Sequence, residues 1–138
     1  MTIKEVQQQI VDEFAIFTDW MDKYEYLIEL GKSVPVIEES GKLEENLIKG
    51  CQSRVWLEAE YRDGKLLFKA DSDAIITKGI ISLLIKVFSG RTPEEILDSD
   101  MNFIEEIGLQ ENLSPTRANG LLSMISRIKS YAQTYVNS

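Results

Sequence analysis

Residues 54–70 constrain this chain more tightly than any other stretch. Val55, Leu57, Ala59 and Tyr61 alternate with Arg54, Trp56, Glu58, Glu60 and Arg62. Asp63-Gly64 interrupts the alternation, and it resumes through 65–70. Period-two patterning on both sides of an Asp-Gly pair predicts a β-hairpin closed by a two-residue type I′ turn. The pairing sets Tyr61 opposite Leu66, Ala59 opposite Phe68 and Leu57 opposite Ala70, so all six share one apolar face. Continued outward, it is expected to bring Arg54 opposite Asp71. The 51–53 loop and Asp71-Ser72-Asp73 then leave the hairpin side by side.

An apolar face needs a cover, and residues 74–88 supply one. Ile75, Ile76, Ile80, Ile81, Leu83, Leu84, Ile85, Val87 and Phe88 leave almost no polar side, as in a helix buried on most of its surface. Gly79 would permit close approach to a neighbour, and Ser72 or Asp73 would cap the helix. Upstream, Ile3, Val6, Ile10, Phe14 and Phe17 predict a helix over 3–17. A second follows, capped by Thr18 or Asp19, with Trp20, Tyr24, Leu27 and Ile28 on one side and Gly31 at its end. That aromatic stripe reads as core. Residues 36–49 read as an exposed acidic loop. Thr92-Pro93-Glu94-Glu95 opens a short helix to about Leu97, and another is expected near 103–108. Ser114-Pro115-Thr116-Arg117 opens the last helix, with an apolar face of Leu121, Leu122, Ile125, Ile128 and Tyr131 or Ala132.

Composition excludes several functions. The 138 residues form one domain, 1–138, with 43% hydrophobic content. A net charge of −8 disfavours nucleic acid as a partner. No apolar run approaches a membrane span, and residues 1–7 carry no apolar core like that of a signal peptide, so a cytoplasmic location is expected. There is one cysteine, Cys51, and no histidine. One thiol supplies neither an internal disulfide nor, within one chain, the several thiolates of an iron–sulfur cluster or a zinc-ribbon site.

Cys51 is either a small buried hydrophobe or a nucleophile. Gly50 before it allows an unusual turn at the mouth of a strand. Without imidazole, a thiolate there could be stabilised only by backbone amides, a helix N-terminus, Lys or Arg. The N-terminus of the 74–88 helix is one candidate, against which a capping Asp73 would act. Arg117 is another, unless it is an ordinary solvated arginine. The absence of histidine argues against a cysteine hydrolase. A missing second cysteine argues against a disulfide oxidoreductase, which leaves sulfur exchange by a carrier thiol.

Several spaced motifs bear on that choice: Asp19-Trp20 through Lys23-Tyr24, Leu27-Ile28-Glu29-Leu30-Gly31, Gly50-Cys51-Gln52-Ser53-Arg54-Val55-Trp56, Asp71-Ser72-Asp73-Ala74 to Lys78-Gly79, and Leu113-Ser114-Pro115-Thr116-Arg117-Ala118-Asn119-Gly120-Leu121. With them the chain resembles, over nearly its whole length, the SufE family of sulfur acceptors for cysteine desulfurases in iron–sulfur cluster assembly. Ser114 and Thr116 are small departures. The resemblance implies an α+β fold of SufE/NifU-N type, with a small antiparallel sheet of about three strands packed against helices from both ends of the chain. The third strand is expected around 43–48.

It also implies that Cys51 accepts persulfide sulfur, stimulates the desulfurase and passes the sulfur on, as an accessory protein and not an enzyme in its own right. Asp73 and Arg117, with Gly50 and Gln52, would contact the partner or hold the loop. The resting thiol would lie tucked in an apolar pocket and swing out on docking. The implied partners are a SufS-like desulfurase, which owns the pyridoxal phosphate, and a SufBCD-like scaffold. No cofactor or metal is expected on this chain, which would be a monomer or weak homodimer. A CsdE-type acceptor for another desulfurase and a non-catalytic desulfurase-binding regulator are the alternatives.

Overall fold

The hairpin forms with the expected register. In the computed structural model, which describes residues 1–51 and 53–136 (Gln110 by its backbone only), β1 (Val55–Arg62) pairs antiparallel with β2 (Lys65–Ser72). Tyr61 faces Leu66, Ala59 faces Phe68 and Leu57 faces Ala70. Asp63 and Gly64 take φ of 54° and 79°, the left-handed pair that a type I′ turn demands. The same register carried outward sets Trp56, not Arg54, against Asp71. Arg54 instead meets Asp73: its N–H donates to Asp73 Oδ1 at 3.0 Å, and its carbonyl accepts from Asp73 N at 3.2 Å.

The third strand does not form. Glu44–Asn46 turns as a short 3-10 segment, so the approach to β1 is limited to a single bridge from Leu47 to Trp56 and the Ile48 N–H, which donates to the Val55 carbonyl at 2.8 Å. The sheet has two strands among the described residues. Its other edge is met by Val36 at Ala70 and by Arg91 at Leu66. Each edge thus carries a short bridged segment, at Trp56 on β1 and at Leu66 and Ala70 on β2. Residues 36–49 are accordingly less exposed than expected, since Ile37 and Ile48 are buried.

Helix α3 (Ile75–Phe88) covers the apolar face and is buried along most of its length. Its N-cap is Ala74, without a side-chain cap. Asp73 is occupied by Arg54, and Ser72 Oγ accepts from Ala74 N–H while donating to the Arg54 carbonyl at 2.8 Å. Helix α1 (Ile3–Ala15) starts with a Thr2–Glu5 capping box and buries Ile3, Val6, Ile10 and Phe14. It stops before Phe17, which packs on Tyr26. Helix α2 (Trp20–Lys32) is capped by Asp19 and runs through Gly31 to Lys32. Gly31 sits inside it because α2 crosses α3 there: a Cβ on Gly31 would stand 3.1 Å from Gly79 N.

The remaining helices close the core. Helix α4 (Pro93–Asp98) has the expected capping box with Pro93 in its first turn, and α5 (Asn102–Glu106) follows. Helix α6 (Pro115–Tyr135) is capped by Ser114 and buries Leu121, Met124, Ile128 and Ala132. Leu122, expected on its apolar face, is exposed.

Candidate functional site: the Cys51 loop

The loop that carries Cys51 is fixed at both ends. On the strand side, the Arg54–Asp73 pairing and the Ser72 hydroxyl clamp it to the end of β2. On the other side, the Arg127 guanidinium donates to the carbonyls of Glu45 and Leu47 and ties the approaching chain to α6. Gly50 turns with φ of 89°, which side-chain-bearing residues rarely adopt. A Cβ there would come within 2.7 Å of Ser123 Oγ, so the loop lies against α6.

That geometry sends the Cys51 side chain inward. Sγ lies 3.7 Å from the Gly120 carbonyl, to which the thiol donates. The surrounding pocket is lined by Ser53, by Thr77 and Ile80 of α3, and by Thr116, Arg117, Gly120 and Met124 of α6. Its free volume is about 10 Å³, room for roughly one water molecule. Cys51 is half-buried, and burial pushes its thiol pKa above the ordinary value. The first turns of α3 and α6 and the Arg117 side chain share the pocket without reversing that shift. The sulfur therefore rests here as a neutral thiol.

Asp73 and Arg117 occupy different places around it. Asp73 is exposed at the loop's strand-side anchor, its carboxylate occupied by Arg54 N–H. Arg117 is exposed in the first turn of α6, where its own N–H donates to the Ser114 cap at 3.3 Å, and it makes no ion pair among the described residues. Gln52 lies outside the described residues. The sequence reading missed Gly120, Ser123 and Arg127. Gly120 left a signal, because a glycine inside a helical pattern costs about 1 kcal/mol relative to alanine and usually has a packing reason. Ser123 and Arg127 left none, since their partners are distant in sequence.

Next to the loop, Asp71 forms ion pairs with Lys42 at 2.8 Å and Lys78 at 3.3 Å. Burial opposes its charge, but hydrogen bonds from Lys42, Ser72 N–H and Lys78 overcome that and hold the carboxyl below the usual carboxylate range. Lys42 also lies over the Trp56 ring, 5.3 Å from its centroid. Among the described residues no group of three or more His, Cys, Asp or Glu is placed to hold a metal ion, and no helix is long and apolar enough to cross a membrane.

Comparison with known proteins agrees with this architecture. The solution structure of a hypothetical protein from Thermus thermophilus superposes with a TM-score of 0.79 over 96% of this chain and 97% of that one, at 23% identity, and so shares the fold. An uncharacterised SufE-like protein of Rhizobium meliloti is 44% identical over 91% of this chain and 93% of its own length. A SufE-like protein of Synechocystis is 40% identical over 90% of this chain and 78% of its own. SufE-like protein 1, chloroplastic/mitochondrial, of Arabidopsis thaliana is 39% identical over 91% of this chain, which spans 34% of that longer protein. The family model for SufE, an Fe–S metabolism associated domain, matches residues 8–132, and the chain belongs to the SufE family.

Proposed function

We propose that the protein is a persulfide carrier: it takes sulfur from a pyridoxal-phosphate-dependent cysteine desulfurase onto Cys51, stimulates that enzyme, and hands the sulfur to an iron–sulfur scaffold in the cytoplasm. The observation that carries this reading is the placement of the sole cysteine. It sits on a loop anchored at both ends, its sulfur turned into a pocket with room for little else. A purely structural cysteine needs no glycine-hinged loop to hold it, and the imidazole that usually activates a hydrolytic cysteine is absent from the sequence.

In the transfer, the Cys51 thiol loses its proton to solvent and its sulfur attacks the outer sulfur of the desulfurase's cysteine persulfide. A new sulfur–sulfur bond forms on Cys51. The old bond breaks, and its electron pair leaves on the desulfurase cysteine as thiolate. No external oxidant or reductant is consumed. The raised pKa suits the waiting state, because a neutral thiol reacts slowly with stray electrophiles. Attack then requires the loop to leave its pocket, and the exposed Asp73 and Arg117 at its borders are the residues we assign to partner contact.

The test is intact-protein mass spectrometry after incubation with a cysteine desulfurase and free cysteine, without reductant. A reductant-labile gain of one sulfur, absent in Cys51→Ser, is expected. No gain beside an active desulfurase would overturn the carrier reading and favour a regulator that binds without accepting sulfur. Alkylation of Cys51 should also be slower in the free protein than in the complex.

A further inference from the structure

We propose that Gly120 is a positioning residue that stows the acceptor sulfur: the missing side chain at 120 is the space in which the Cys51 thiol rests, and its carbonyl is the acceptor that holds it. This rests on the carrier reading of Cys51, and it adds a determinant on α6, 69 residues away in sequence.

The geometry is specific. A Cβ on Gly120 would meet three nearest neighbours outside its own helix, and all three belong to Cys51: Sγ at 3.3 Å, Cα at 3.8 Å and Cβ at 3.8 Å. The first distance is tighter than carbon and sulfur normally adopt, so any side chain here pushes on the sulfur first. Gly120 itself is buried in the sixth position of a 21-residue helix. It has no left-handed backbone to require glycine, since the positive-φ glycines are Gly50, Gly64, Gly90 and Gly108. Helix energetics alone would favour alanine by about 1 kcal/mol. What glycine supplies at 120 is therefore the close approach of Cys51. Gly50 is the matching element on the loop, lying against Ser123 one turn further along the same helix.

Stowing has a chemical consequence. The thiol proton is the donor to the Gly120 carbonyl. Once Sγ bonds to a second sulfur, that proton is gone and the carbonyl faces a sulfur lone pair instead. The latch thus holds the empty carrier and loosens on the loaded one.

The experiment uses the whole protein without a desulfurase. Cys51 is the only thiol, so its alkylation by iodoacetamide is read without interference. Wild type, Gly120→Ala and Gly120→Val are compared for rate, for pH dependence of the rate, and for thermal stability. Because burial holds the thiol pKa up, release should move the pH midpoint down, with roughly a tenfold gain in thiolate at neutral pH for each unit of movement. The expected order is wild type slowest, Ala intermediate and Val fastest, with Ala melting no lower than wild type. Folded variants with wild-type rate and midpoint would overturn the assignment. Were Val to unfold, the Ala variant alone would decide. A rate gain that follows a fall in melting temperature, with no movement of the midpoint, would also overturn it. Failure of wild type to gain sulfur from an active desulfurase would instead strike the carrier reading, leaving the alkylation result intact.

Discussion

Replacing Gly79 with alanine tests the packing that holds α3, one wall of the Cys51 pocket, in place. Helices α2 and α3 touch through backbone at this point. A Cβ on Gly79 would collide with the Leu27 carbonyl oxygen and stand 2.7 Å from its carbonyl carbon and 3.1 Å from its Cβ. Carbon atoms in contact prefer about 3.5–4.0 Å, so the helices must separate by the better part of an ångström. No rotamer change relieves a backbone collision. Overpacking of this kind costs typically about 1–3 kcal/mol, and the rigid neighbour places it at the upper end. Alanine returns about 1 kcal/mol of helix propensity, which leaves a net loss of roughly 2 kcal/mol. That is a large share of the ~5–15 kcal/mol by which domains are stable. In urea, with a slope of about 1–3 kcal/mol per molar, the midpoint should fall by roughly 1 M. Gly31→Ala is the internal comparison: its Cβ would meet Gly79 N at 3.1 Å and Lys78 C at 3.4 Å, so its loss should be smaller. If Gly79→Ala unfolded at or above the wild-type midpoint with an unchanged slope, the helix crossing described here would be wrong.

Gly50→Ala should free the loop locally: left-handed backbone costs a side-chain-bearing residue about 1–2 kcal/mol, so Cys51 alkylation should quicken while the melting temperature moves little, and an unchanged rate would contradict the turn. Burial raises the Cys51 pKa, so the folded state prefers the neutral thiol. The docked loop is then fully stable below the unfolded thiol value and loses that stability as pH rises through the folded one. Protection factors of residues 49–51 and 53–54, with the intrinsic base-catalysed exchange rate divided out, should fall at alkaline pH in wild type and hold in Cys51→Ser. The Asp71 pKa is lowered, so its contribution is present above the unfolded carboxylate value and lost as pH falls through the folded one. Asp71→Asn should flatten the acid limb of stability measured by urea titration at several pH values, and an unaltered limb would remove the Lys42–Asp71–Lys78 cluster from that role. Asp73→Arg should change affinity for the desulfurase in a calorimetric titration while the domain stays folded. Equal affinity would take Asp73 off the docking surface.

The local features of this fold were legible because their causes are local. An Asp-Gly pair between two alternating runs fixes a turn and a register without reference to the rest of the chain, and the strands pair as read. The same arithmetic that sets Tyr61 against Leu66 places Asp73, not Asp71, opposite Arg54, as the structure has it. Thr92-Pro93-Glu94-Glu95 and Ser114-Pro115 start helices because their side chains reach their own backbone. The all-round apolar run 75–88 could only be a buried helix.

Other features depend on what lies across the molecule. Gly31 looks like a helix terminator until Gly79 presses against it, and the crossing then keeps it inside α2. Residues 43–48 carry apolar positions suited to a strand, but a 3-10 turn at Glu44–Asn46 leaves only Leu47 within reach of Trp56. At the site, the sequence by itself determined which sulfur is available and that no imidazole can activate it. Only the tertiary structure decided that this sulfur rests protonated against Gly120, because that contact joins residues 69 apart, and no local pattern encodes which distant backbone a side chain will meet.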